Sequence, residues 1–251
     1  MDSQPAYVLH SFPYKDSSSL VDYLTSDFGR VRMIVKGVRR NGSRLREAIQ
    51  PFQPLHISWR GKGELKTLIA AETISLNPFL QGRTLWCGLY LNELAVRLLP
   101  QWDSHPRLFA YYQLAVSTLS DLDAQESVLR IFERRLLEEL GFEVSFTHTV
   151  NPEKAIEPHR YYYFNPEQGF SLAAEGAQPS SGQVCYPGDS ILAIAEDDYH
   201  NDRVKQIAKR LMRVALGPHL GHKPLQSREL FKRQVVCQKE NTTDFRNTEG
   251  E

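Results

Sequence analysis

The sequence predicts an α+β protein: a small β-barrel over residues 1–80, then an α-helical domain over 81–251 that carries an irregular insertion at 143–200. Three observations predict it. Residues 6–72 hold five short apolar runs separated by glycine, proline and polar turns. Beyond Pro78 the apolar spacing changes to three and four residues, the period of a helix facing a core. The 251 residues are 41% hydrophobic and 24% charged, ordinary globular values that exclude collagen-like, low-complexity and disordered chains.

Taken in order, Ala6–Phe12 is a β-rich run ended by Pro13. Ser19–Thr25 is the second run, with an amphipathic helix as its alternative. Ser26-Asp27-Phe28-Gly29 reads as a turn in which Gly29 is free to take positive φ. Arg30–Lys36 alternates basic and apolar residues, the period of a strand with one buried face. Gly37–Arg46 is a polar, basic connection. Pro54–Arg60 and Leu65–Thr73 flank Gly61-Lys62-Gly63 as a hairpin. Five such strands suit a small barrel, of which the oligonucleotide-binding (OB) fold is the commonest nucleic-acid-binding example. Three helices follow: Thr84–Leu99 before Pro100, Pro106–Leu122, and Gln125–Leu140 before Gly141, a C-terminal cap glycine. Residues 143–188 lack a period. Arg203–Leu216 is helical again and is expected to stop at Gly217-Pro218. A last short helix is expected at Gln226–Val236.

Thirty basic residues balance thirty acids, yet the signs are segregated. Residues 30–66 hold ten bases against two acids, net +8; residues 203–239 hold ten against Glu229, net +9; residues 81–202 are net −10. Two cationic regions flanking an acidic one would attract a polyanion at defined places. No apolar stretch approaches the ~20 residues that span a bilayer, and no secretory signal is expected from the N-terminal residues. Three dispersed cysteines, Cys87, Cys185 and Cys237, suit a reduced compartment. A cytoplasmic, nucleoid-associated protein without membrane contact is expected.

Catalytic constellations are lacking in the sequence. Gly61-Lys62-Gly63-Glu64 has neither the spacing nor the Ser/Thr of a P-loop, and no Cys-x-x-Cys pair provides zinc ligands. The run Glu196-Asp197-Asp198 with Asp202 is the one candidate for a Mg²⁺ site, hence for a metal-dependent nuclease; the plainer reading is acids near a helix N-terminus. A protein–protein adaptor that binds acidic partners is the other alternative. Nucleic-acid binding fits the charge better: Lys and Arg release counterions from phosphates, and Tyr23, Phe28, Phe52 or Trp59 could stack bases from a barrel.

Several segments resemble the RecO family of bacterial recombination mediators, most of all its gammaproteobacterial members. They are Tyr7–His10, Phe28–Arg32, Lys36–Arg39, Gln50-Pro51-Phe52, Gly61–Leu68, Gly88–Leu94, Leu129–Glu133, Leu220–Leu225 and Ser227–Phe231. They occur in order across nearly the whole chain. The resemblance implies an OB barrel joined to a helical domain, binding of single- and double-stranded DNA, annealing of complementary strands, and assistance in loading a recombinase onto DNA coated by single-strand-binding protein. The implied partners are RecR and the acidic C-terminal tail of that coating protein (SSB). Some members bind zinc through four cysteines in the insertion; here that region holds only Cys185, so no metal and no cofactor is expected.

The DNA contacts expected on this reading are Arg30, Arg32, Lys36, Arg39, Arg40, Arg44, Arg46, Lys62 and Lys66 from the barrel, and Lys205, Lys209, Arg210, Arg213, Lys223 and Arg228 from the C-terminal half. For the acidic tail, an apolar pocket rimmed by cations is expected on the Gln125–Leu140 helix, with Arg130, Phe132 and Arg134; an ordinary core helix is the alternative there.

Overall fold

The computed structural model describes residues 3–43, 45–63, 65–174 and 184–231. Five strands close a barrel: β1 (Gln4–Tyr14), β2 (Ser18–Thr25), β3 (Gly29–Val35), β4 (Leu55–Arg60) and β5 (Lys66–Thr73), in the order β1-β2-β3-β5-β4. Ser19–Thr25 is thus a strand and not a helix. β3 and β5 pair in parallel over only two positions, Met33↔Lys66 and Ile34↔Thr67. The interior is filled by alternate residues: Val21 and Tyr23 of β2, Val31, Met33 and Val35 of β3, Leu55, Ile57 and Trp59 of β4. The connection from β3 to β4 holds a single 3₁₀ turn, Glu47–Ile49, whose buried Ala48 accepts a 2.6 Å bond from the Tyr23 hydroxyl.

Helices α1 (Gly82–Leu98) and α2 (Pro106–Thr118) belong to the same compact unit as the barrel, which comprises the described residues up to 122 and those from 222 onward. The compact unit thus extends past residue 80, where the strand and helix periods change, to the end of α2. A buried amide explains the attachment. β1 bulges between Val8 and His10, and the Asn92 side chain of α1 donates to the carbonyls of Val8 and Leu9 there, while the Tyr112 hydroxyl of α2 donates to Asn92 Oδ1 at 2.5 Å. The strand's disrupted ladder is thereby satisfied. Glu93, next to Asn92, accepts from Gln226 N, Ser227 N and Ser227 Oγ, capping a helical stretch at 226–231; the rest of the expected last helix, through Val236, lies outside the described residues.

The second unit, residues 123–221, contains α3 (Gln125–Glu139), a three-stranded sheet of β6 (Tyr161–Asn165), β7 (Gly169–Leu172) and β8 (Cys185–Pro187) in the order β7-β6-β8, then α4 (Gly188–Ala195) and α5 (Asp202–Leu220). The described part of the aperiodic insertion thus packs around Tyr162, Phe170 and Tyr186. α4 escapes a periodicity reading because eight residues are too few to show a period. α5 continues through Gly217-Pro218 to Leu220, so Pro218 lies inside the helix, where it has no N–H to donate to the preceding turn. Among the described residues, no helix is long and apolar enough to cross a membrane.

Gly29 shows how tightly the first unit is joined. It has φ +62°, and a Cβ there would sit 1.6 Å from the carbonyl oxygen of Asp103, in the α1–α2 connection. Gly29→Ala must displace backbone as well as adopt a left-handed conformation, so a loss of about 3 kcal/mol or more is expected. Thermal unfolding of the variant followed by circular dichroism checks this, with a drop of many degrees as the expected result.

Candidate nucleic-acid interface

Barrel closure assigns every strand residue to the inside or the outside. On β3 the interior takes Val31, Met33 and Val35, so Arg30, Arg32 and Ile34 face out. The register then builds rows across the outer surface. One row reads Phe12↔Leu20↔Ile34↔Thr67↔Arg60 across five strands; the next reads His10↔Asp22↔Arg32. Adjacent strands lie about 4.8 Å apart, so the first row spans roughly 19 Å.

Where β3 and β5 diverge, a cleft of about 430 Å³ opens, lined by Tyr14, Lys15, Ser17 and Ser18 from the β1–β2 turn, by Ile34, Lys36, Gly37 and Arg40, and by Thr67. Its three cations, Lys15, Lys36 and Arg40, are exposed and make no ion pair with any described residue. The same holds for Arg46, Arg60 and Lys62. Arg39 has a different task. Its guanidinium donates to the carbonyls of Lys15 and Asp16 at 2.6 and 2.7 Å, holding a turn in which Lys15 takes φ +51°. Lys15 and Arg60 adjoin this cleft although the sequence does not mark them for it: the β1–β2 turn brings Lys15 to its lining, and the strand register sets Arg60 opposite Thr67.

Other expected contacts are engaged elsewhere. Arg30 and Arg32 share Asp22, a fully buried carboxylate on the outer face of β2. Arg32 meets it through two bonds of 2.9 and 2.7 Å, Arg30 through one of 3.2 Å, and Arg30 Nε also donates to the Leu99 carbonyl. Burial lowers the Arg30 pKa, partly offset by Asp22, whereas the hydrogen bond to Asp22 raises that of Arg32. Arg30, with its side chain 12% exposed, is a structural cation and not a surface contact. Lys66 donates to the Gly61 carbonyl and lies 5.3 Å over the Trp102 ring. Arg44 lies outside the described residues. On α5, Lys205 pairs with Asp202 and Lys209 with Glu126, while Arg210 and Arg213 are exposed and form no ion pair with a described residue. Lys223 is exposed, and Arg228 lies over the Tyr90 ring.

Two groups of expected site residues are corrected. Tyr23, Phe52 and Trp59 are buried in the first unit's core, and Phe28 is half-buried against the barrel core with Trp59 and Trp102 beside it at 5.3 and 6.4 Å, so none of the four stands out from the surface for a base. On α3, Phe132 is 1% exposed and the arginines point into ion pairs: Arg130 with buried Glu133 at 2.8 Å, Arg134 with Asp197 at 2.7 Å. The helix is a core element of the second unit, and the surface pocket expected at Arg130, Phe132 and Arg134 does not form. The same contacts remove the nuclease candidate's central acid, because Asp197 is held by both Arg134 and Arg135; Asp202 pairs with Lys205. Among the described residues, no three His, Cys, Asp or Glu side chains are gathered to hold a metal ion.

A closed five-stranded barrel of this strand order, with a helical region following it, defines an OB-fold protein. Its family is settled by comparison. Residues 1–77 match the family model "Recombination protein O N terminal" and residues 80–229 match "Recombination protein O C terminal". Relatives named DNA repair protein RecO include that of Burkholderia pseudomallei, 42% identical over 91% of this chain and 82% of its own length. Those of Nitrosospira multiformis (41%, covering 92% and 95%) and Pseudomonas aeruginosa (42%, covering 91% and 94%) are equally similar. The chain belongs to the Recombination protein O family, and its relatives fit a proteobacterial origin. Membership places it in DNA repair and recombination.

Asp22 is the test of the structural half of this surface. Removing a buried carboxylate that neutralises two guanidinium groups leaves them uncompensated. Asp22→Ala is expected to lower stability by about 2–4 kcal/mol, read from the midpoint of urea unfolding at constant m-value.

Proposed function

We propose that the protein is a recombination mediator that binds single- and double-stranded DNA through exposed cations, anneals complementary strands, and assists recombinase loading onto DNA coated by single-strand-binding protein, acting with RecR. The observation that carries this reading is the cleft with Lys15, Lys36 and Arg40, with Arg60 in the adjoining row and Lys62 two residues further along the chain. These charges are exposed and unspent on described carboxylates, so a phosphate chain meets them without first breaking an ion pair. Each phosphate neutralised releases condensed counterions, giving affinity that is indifferent to sequence and steep in salt.

Annealing needs two polyanions held by one molecule. Arg210 and Arg213 on α5 supply a second cationic surface on the second unit. Occupancy of both lowers the repulsion between strands and raises their local concentration, while pairing selects the complement. The protein's part is to concentrate strands, not to read them. Family membership supports RecR and the acidic tail of the coating protein as partners, with the tail contact placed elsewhere than on buried α3.

The combined substitution of Lys15, Lys36, Arg40 and Arg60 by alanine is expected to weaken binding alike for unrelated oligonucleotide sequences. The slope of log K against log salt should become shallower by roughly 2–3, at about 0.7 per lost single-strand phosphate contact. Fluorescence anisotropy at several salt concentrations measures it. An unchanged slope contradicts the assignment, and wild-type protein that binds an acidic peptide but no DNA favours the adaptor alternative.

A further inference from the structure

We infer that Phe12 stacks against an unpaired base and gives the barrel a preference for single strands, a reading that rests on the DNA-binding role proposed above. Among the described Phe, Tyr and Trp residues of the barrel strands, Phe12 is the one left exposed, at 41%. It owes that position to the bulge in β1. An unbroken alternation from inward Val8 would send Phe12 into the core. The extra residue between Val8 and His10 reverses the parity, so Phe12 stands outside opposite Leu20, in the row that runs on to Ile34, Thr67 and Arg60.

The ring is braced before any ligand arrives. The His10 imidazole meets it edge-to-face with centroids 4.1 Å apart. The Arg32 guanidinium lies 5.7 Å from its centroid, and that guanidinium is itself fixed by two bonds to buried Asp22. A side chain so held loses little conformational freedom on binding. Exposing this much apolar ring to water is unfavourable in the free protein, and covering it with a base recovers that loss.

Placement ties the ring to the cationic cleft. Tyr14, two residues along the same strand and on the same side, lines the cleft with Lys15, Lys36 and Arg40, and so does Ile34 from the row of Phe12 itself. A strand whose phosphates follow those cations therefore has its bases beside Phe12. In a duplex each base already has both faces covered by its neighbours, so the ring has nothing to stack on. In a single strand a base turns out at little cost, and base–aromatic stacking is indifferent to which base it is. Phosphate contacts then supply affinity for both forms of DNA, and Phe12 separates them.

The test compares three labelled probes by anisotropy: an oligothymidine, an abasic oligonucleotide of the same length, and a duplex. Phe12→Ala is expected to bind the oligothymidine about tenfold more weakly, with the abasic strand, the duplex and the salt slope unchanged. Phe12→Tyr should restore binding and Phe12→Leu should not, because the contact needs a ring face and not merely apolar bulk. Oligothymidine binding by Phe12→Ala at wild-type affinity, or full rescue by leucine, overturns the stacking role while leaving the phosphate contacts in place. Failure of the wild-type protein to bind any of the three probes instead overturns the DNA-binding reading itself. Retained duplex and abasic binding shows that the variant is folded.

Discussion

A barrel of five strands has one inside, and closing it fixes the parity of every residue on all five. Everything assigned to the surface here depends on that constraint. Because Val31, Met33 and Val35 must fill the interior with Tyr23 and Trp59, the residues between them are driven outward whatever their character. Outside, the cations divide by their distance from Asp22. Arg30 and Arg32 lie within reach of this buried carboxylate and become part of the wall. Lys15, Lys36, Arg40 and Arg60 are beyond its reach and pair with no described carboxylate.

The second unit follows the opposite rule. There arginines are drawn inward. Arg130, Arg134 and Arg135 meet Glu133, Asp197 and Glu138 in a partly buried network, where breaking a pair leaves a charge stranded in low dielectric. These pairs engage three of the eighteen acids in the acidic middle of the chain: Glu133, Glu138 and Asp197 are counterions of the α3 arginines. Arg210 and Arg213 of α5 are exposed cations on a unit whose sequence, residues 123–221, carries fifteen acids against ten bases.

Much of the architecture was legible from the sequence because it rests on local periods. The alternation of Arg30–Val35, the turn at Gly29 with its positive φ, the hairpin around Gly61 and Gly63, and helices α1 to α3 all appear where those periods place them. What was not legible depends on contacts between residues far apart in sequence. Asp22 is eight and ten residues from its arginines but on another strand, and nothing in the spacing marks it as their partner. The α3 stripe of apolar residues beside arginines reads equally as a surface groove or a core helix; Asp197, over sixty residues on, decides for the core. The aromatic at the surface was hidden by a bulge, since one extra residue in β1 exchanges inside for outside for every side chain that follows it.

The most direct test of the account is to locate bound DNA on the protein by photo-crosslinking to a halogenated oligonucleotide, with the attached peptides read by mass spectrometry. The account predicts crosslinks within residues 10–18, 34–40 and 60–67, the segments that meet along the outer row and the cleft. Crosslinks confined to other segments, with these three unmodified at saturating DNA, would contradict it.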